Sequence, residues 1–151
     1  TSIKMASVSI YLNFQGNTET AFQFYKKIFK TEFIGDVIYN RDIPEQEGQP
    51  SLSDEDKNKI MHVSLPILGG FIIMGTDMLE SMGHQVVVGN NITINLEPDS
   101  IEEADRLYQL LSEGATEFAP MRQEFWGYWG CCLDKFGIRW MFNFSNQGYG
   151  G

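Results

Sequence analysis

Residues 7–29 read SVSIYLNFQGNTETAFQFYKKIF. The first eight alternate, with Val8, Ile10, Leu12 and Phe14 on one face and Ser9, Tyr11 and Asn13 on the other, which predicts a half-buried strand. Gly16-Asn17 follows as a turn, and Asn17 is suited to cap a helix. Ala21, Phe24, Tyr25, Ile28 and Phe29 recur at helical spacing over 18–29. Lys26, Lys27 and Lys30 lie at the far end, where positive charge suits the helix dipole.

Downstream, residues 32–40 (EFIGDVIYN) predict a second strand. Residues 41–59 are polar, contain two prolines and have almost no apolar anchor, so a long mobile loop is expected there. Strands follow at 60–67 and 71–77, joined at Leu68-Gly69-Gly70, and 78–86 is a connector. The pattern then restarts. Residues 91–96 (NITINL) set Asn91, Thr93 and Asn95 against Ile92, Ile94 and Leu96. Pro98-Asp99 marks a turn, and Ser100 with Glu103 three residues on forms a capping box. Ile101, Ala104, Leu107, Tyr108 and Leu111 supply a helix stripe, and Gly114 stops it. Strands are expected at about 116–120, 128–133 and 138–144, with a loose tail from Asn146.

The order is therefore βαβββ, connector, βαβββ. Phe24-Tyr25 falls on Leu107-Tyr108, and Gly70-Phe71 and Met74 fall on Gly137-Ile138 and Met141. With a one-residue gap in the turn, Ser9, Tyr11 and Asn13 fall on Asn91, Thr93 and Asn95. Such self-similarity points to an internal duplication. The expectation is a single α+β domain over 1–151, with one unit at about 7–78 and the other at about 87–144.

A chain of 151 residues with 42% hydrophobic and 13% aromatic residues can bury one core without disulfides. No apolar run is long enough to span a bilayer, and no apolar stretch follows a basic patch at the start, so neither membrane anchorage nor a secretory leader is expected. The net charge of −9 disfavours nucleic acid and anionic membranes. The adjacent Cys131 and Cys132 would point to opposite faces of a strand, so they are read as unbridged small hydrophobes in a reducing, cytoplasmic setting.

Three stretches carry a family resemblance: YLNFQGNTETAFQFYKKIF, DKNKIMHVSLPILGGFIIMGTD and EFWGYWGCCLDKFGIRWMFNF. In this order they resemble the opening strand and helix, the central loop and hairpin, and the closing motif of PhnB-like proteins of the vicinal oxygen chelate (glyoxalase, bleomycin resistance and dioxygenase) superfamily. The resemblance spans 7–144. It implies two βαβββ units paired into an incompletely closed, eight-stranded barrel-like sheet with helices outside, a site on the concave face, and a homodimer. Unprotected sheet edges and aromatic surface point to a dimer as well. PhnB-like proteins often carry the description 3-demethylubiquinone-9 3-methyltransferase, but no glycine-rich strand-to-helix motif for a nucleotide-like cofactor is present.

Enzymes of the superfamily hold a metal at four inward positions, which the resemblance and the internal overlay place at Ser9, Met74, Asn91 and Met141. Hydroxyl and thioether groups are poor ligands for divalent metals, so no metal and no cofactor are expected. Strand parity puts Tyr11, Asn13, Thr93, Asn95, Arg139, Asn143, His62 and Ser64 on the same inner faces. Tyr11, Asn13, His62, Asn91, Arg139 and Met141 are the candidate ligand-binding residues. They either line a pocket for a small organic molecule or satisfy one another and a partner surface. His62 is open to two roles, general base or structural hydrogen-bonder. Arg139 implies either a ligand anion or a protein carboxylate. Two functions stay open: a metal-free small-molecule-binding protein of the bleomycin-resistance type, or a lyase, isomerase or dioxygenase with an atypical site.

Overall fold

The structure is a computed structural model that describes residues 5–145; the expected loose tail from Asn146 lies outside them. The elements are β1 (Ile10–Phe14), α1 (Thr18–Phe29), β2 (Ile38–Tyr39), α2 (Asp54–Lys57), β3 (Ile60–Pro66), β4 (Ile72–Asp77), β5 (Ile94–Leu96), α3 (Ile101–Leu111), β6 (Glu117–Glu124), β7 (Gly127–Leu133) and β8 (Arg139–Phe144). The class is α+β, built from two βαβββ units as the alternation predicts. The chain divides into compact units at residues 86 and 87. The first holds a four-stranded sheet in the order β1-β4-β3-β2, the second one in the order β5-β8-β7-β6. In each, the first strand runs parallel to the last and the remaining pairs are antiparallel.

Each sheet has one closed and one open face. In the first unit, Leu12, Phe14, Val63, Leu65 and Ile73 are buried together with Ala21, Phe22, Tyr25 and Ile28 of α1. Gly75 of β4 lies against α1 so closely that an added Cβ would clash with the Phe22 ring. In the second unit, Leu96, Cys132, Trp140 and Phe142 are buried, as are Ala104, Leu107 and Leu111 of α3. Tyr108 meets Phe142 edge to face.

Four sequence expectations need correction. The strand expected at 32–40 shrinks to Ile38–Tyr39, because Gly35 adopts a left-handed conformation (φ +68°) that an extended strand does not contain. The stretch 41–59 is not structureless. It carries the one-turn α2, capped by Ser53 Oγ accepting from the Asp56 amide, and the carboxylate of Asp56 is buried. The first strand of the second unit begins at Ile94, leaving Asn91 in the bend before it.

The fourth correction is to the internal overlay. Cα partners are Tyr11 with Met74 in one sheet and Asn95 with Met141 in the other. Since Met74 corresponds to Met141, Tyr11 corresponds to Asn95 and Ser9 to Thr93. The first strands therefore match two residues away from the expected alignment. The gap in the following turn runs the other way: the second unit is one residue shorter there, and Pro98 takes the buried place of Phe14. Alternation cannot detect a shift of two, because it preserves every side chain's face.

Candidate functional site: the open faces of the two sheets

In the first unit, Tyr11, Met74 and Ser64 form one cross-strand row on the face turned away from α1. His62 lies one alternate position before Ser64 on β3. Its ring joins two groups of that face. Tyr11 Oη is 2.7 Å from His62 Nδ1, and His62 Nε2 is 2.8 Å from Ser64 Oγ. Two sequence candidates, Tyr11 and His62, are thus brought into contact, with Ser64 as a third member. Tyr11 is 45% exposed and Ser64 7%, so this hydrogen-bonded chain runs from solvent into the sheet. Partial burial raises the Tyr11 pKa above its ordinary value of 10.0, which keeps the phenol protonated near neutrality. Asn13 is exposed at the other end of β1.

The other open face has different chemistry. Asn95, Met141 and Cys131 form the row equivalent to Tyr11, Met74 and Ser64, and Trp129 takes the place of His62. Cys131 is half-buried and Cys132 buried on the opposite side; both thiols are free. Burial pushes the Cys132 thiol up to about 11, so it stays a neutral, unreactive core group. Asn143 Nδ2 donates to Asn95 Oδ1 at 2.6 Å.

Arg139 stands in the next row, beside Leu133 of β7 and, through it, Glu117 of β6. Its Nη2 donates to Glu117 Oε2 at 2.9 Å. Of the two alternatives for Arg139, the protein carboxylate is the one this structure contains. The Arg139 side chain is only 19% exposed whereas that of Glu117 is 62% exposed. The sequence reading did not single out Glu117. Its alternation with Ala119 in the expected strand at 116–120 would have placed it beside Leu133, had the pairing of β6 with β7 been worked through. Asn91, in the bend before β5, is exposed and off the strand ladder.

The corrected overlay moves the positions that the resemblance would assign to a metal to Ser9 and Met74 in the first unit and Thr93 and Met141 in the second. Their donors do not fit a divalent metal: Ser9 Oγ is directed at Met74 Sδ, 3.8 Å away, and two of the four positions are thioethers. Among the described residues, no cluster of three or more His, Cys, Asp or Glu is placed to hold a metal ion. Nor does any described helix have the length and apolarity to cross a membrane.

Comparison with known proteins agrees with this architecture. No curated protein is similar enough to match the chain. Protein PA1353 from Pseudomonas aeruginosa is 30% identical, with a TM-score of 0.79 over 93% of this chain and 98% of that one. A Bacillus cereus PhnB protein, described as a putative 3-demethylubiquinone-9 3-methyltransferase, is 19% identical, with a TM-score of 0.72 over 93% of this chain and all of that one. The fosfomycin resistance protein FosX from Listeria monocytogenes, solved as a point mutant with Mn(II) and 1S,2S-dihydroxypropylphosphonic acid, is 15% identical, with a TM-score of 0.62 over 95% of each chain. The family model described as 3-demethylubiquinone-9 3-methyltransferase matches residues 6–142. With two βαβββ units and that match across nearly its whole length, the chain belongs to the family described as 3-demethylubiquinone-9 3-methyltransferase.

Proposed function

We propose that this protein binds a small organic molecule on its open sheet faces, without the superfamily's metal. One observation carries the reading: the chain Tyr11–His62–Ser64, whose exposed phenol both donates and accepts hydrogen bonds and whose other end is buried. Such a chain holds Tyr11 in place for a polar ligand group, and Met74 beside it offers an adaptable apolar contact. Asn13 is a further proposed ligand contact in the first unit, and Asn91, Arg139 and Met141 are the proposed contacts in the second unit taken by itself. A thermal-shift screen of neutral and anionic fragments tests the proposal, because a ligand that binds only the folded state raises its apparent stability. At least one fragment should stabilise the wild type and lose about fivefold or more in affinity with Tyr11→Phe, as expected for one hydrogen bond. A full screen without a hit, or hits indifferent to Tyr11, His62 and Arg139, would overturn it.

The same chain supports a second reading, an enzyme that moves a proton without metal. Each of its three groups both takes and gives a proton, and they are linked as a base is linked to its orienting partner. Deuterium exchange into an enolisable ketone such as dihydroxyacetone, lost in His62→Gln, would favour catalysis. Exchange at the buffer rate would leave binding alone.

A cytoplasmic homodimer, each chain one domain, completes the proposal. Unbridged cysteines suit a reducing compartment. Phe125, at the tip of the β6–β7 hairpin, is 97% exposed in the single chain, and Phe118 and Ile92 are also exposed, which favours a partner surface. Light scattering that returns the mass of one chain, 17.2 kDa, at micromolar concentration would refute the dimer.

A further inference from the structure

Small-molecule binding leaves the ligand's chemistry open, and the environment of Arg139 supplies it. A guanidinium has one edge formed by Nε–H and Nη2–H, spaced to meet two oxygens of a carboxylate or phosphate group. On Arg139 that edge is half used. Nη2 donates to Glu117 Oε2, while Nε is buried and has no hydrogen-bond partner among the described residues. Leaving a buried donor unpaired is costly, and a charged one more so. The partner that leaves it unpaired is a carboxylate more than half exposed. It can swing into water with little loss, because an exposed ion pair contributes little.

We propose that the Nε–Nη2 edge of Arg139 is an oxyanion site, and that Glu117 is its built-in competitor. An incoming carboxylate or phosphate-type group displaces Glu117 from Nη2 and satisfies Nε as well. The ligand is thus a small molecule with one oxyanion end. Cys131 and Met141, which share their row with Asn95, lie next to the site on the same face, so the rest of the molecule is apolar or weakly polar where it meets them. The inference rests on the small-molecule reading and deepens it. It also accounts for an arginine placed where the other unit has Ile72, its equivalent on β4.

The test uses the full chain and two named probes, inorganic phosphate and acetate, followed in nuclear magnetic resonance titrations through the backbone amide signals of residue 139 and its β8 neighbours in every variant, and through the Arg139 Nε–H signal where the arginine is kept. Saturable shifts are expected in the wild type. Glu117→Gln should tighten both probes by about fivefold, since it removes the competing charge. Glu102→Gln, on the exposed face of α3, loses the same charge elsewhere and should leave affinity within about twofold of wild type. Arg139→Met should abolish the specific effect. Arg139→Lys, which keeps the charge and guards against a folding defect, should lose about tenfold because the paired edge is gone. Phosphate and acetate binding that is unchanged in Arg139→Lys, or weakened by Glu117→Gln, overturns the oxyanion site. So does a wild type and a Glu117→Gln variant that both fail to bind either probe. If neutral fragments still bind through Tyr11 in those cases, only this inference falls. If nothing binds at all, the small-molecule reading falls with it.

Discussion

The two long helices, α1 and α3, each follow a polar residue suited to cap them, but they begin in different ways in space. α3 starts locally: Ser100 Oγ accepts from the Glu103 amide, three residues along the chain. At the start of α1 the side chain of Asn17 makes no capping hydrogen bond, contrary to the sequence expectation. Asp77, at the end of β4, takes that role. Its Oδ1 accepts from the amides of Gly16 and Thr18 and from the Thr18 hydroxyl, and its Oδ2 accepts from the Ile60 amide. The residue equivalent to Asp77 in the second unit is Phe144. That unit's buried carboxylate, Asp134, sits in the β7–β8 turn, where it accepts from the Phe136 and Ile138 amides and the Trp140 indole. The duplicated backbone thus keeps its shape while its polar anchors move. Repeats that look alike need not be held together alike.

The sharpest test of that contrast is removal of the two caps. Asp77→Ala leaves three amides in the first unit without their acceptor, and denaturant titration should show a loss on the order of 4 kcal/mol. A cost below about 1 kcal/mol would mean that water replaces the carboxylate and that the two helix starts are equally local. A second difference lies in which element supplies the packing ring. Gly75 corresponds to Phe142: in one unit the ring over the sheet is Phe22 of the helix, in the other it comes from the strand. Gly75→Ala should cost about 2 kcal/mol by overpacking, with partial recovery in the double variant with Phe22→Leu. Additive costs would show that the two residues do not compete for the same space. Ser100→Ala, which removes the local cap of α3, should cost only about 1 kcal/mol by the same titration.

The smallest effect concerns a segment with no counterpart in the other half. The first unit connects β2 to β3 through residues 40–59, where the second uses the hairpin at Phe125-Trp126. Ser81 donates to Asp56 Oδ2 at 2.6 Å and Lys59 to Oδ1 at 3.0 Å. These bonds, the Ser81 one first, hold the Asp56 carboxyl below its ordinary value of 3.8. A carboxyl whose folded pKa is depressed adds stability that is complete above its unfolded pKa and is lost as pH falls through the folded one. Acidification below about 3.8 should therefore release this segment. Ser81→Ala should move the Asp56 titration up toward the ordinary value, read by carboxyl-carbon resonance. An unmoved titration would leave Lys59 as the dominant partner.

How far the sequence could be read follows from the range of each signal. The helices α1 and α3, four of the eight strands within about two residues, and the duplicated order were legible because alternation and helical spacing are local. The strand at 32–40 failed at Gly35, whose backbone angle reflects its surroundings rather than any pattern. The two-residue error in aligning Ser9 with Asn91 arose because a period of two looks the same after a shift of two. For the site, parity put Tyr11, His62 and Arg139 on their faces, and the structure joins Tyr11 to His62. The acceptor at Arg139 and the long-range partner of α1 depend on pairings between strands far apart in sequence, which no periodicity encodes.

The cap supplied by Asp77 also carries a consequence for how the chain acquires its shape. Thr18 and Asp77 lie 59 positions apart, so the start of α1 gains its acceptor only after the loop between them has closed, at an entropic cost that local contacts do not bear. α3 takes its cap acceptor from the residue just before its own first turn. The cap of the earlier helix therefore requires the last strand of its unit, while that of the later one requires only its neighbours in sequence. The first half thus carries a loop-closure cost in its helix cap that the second half does not.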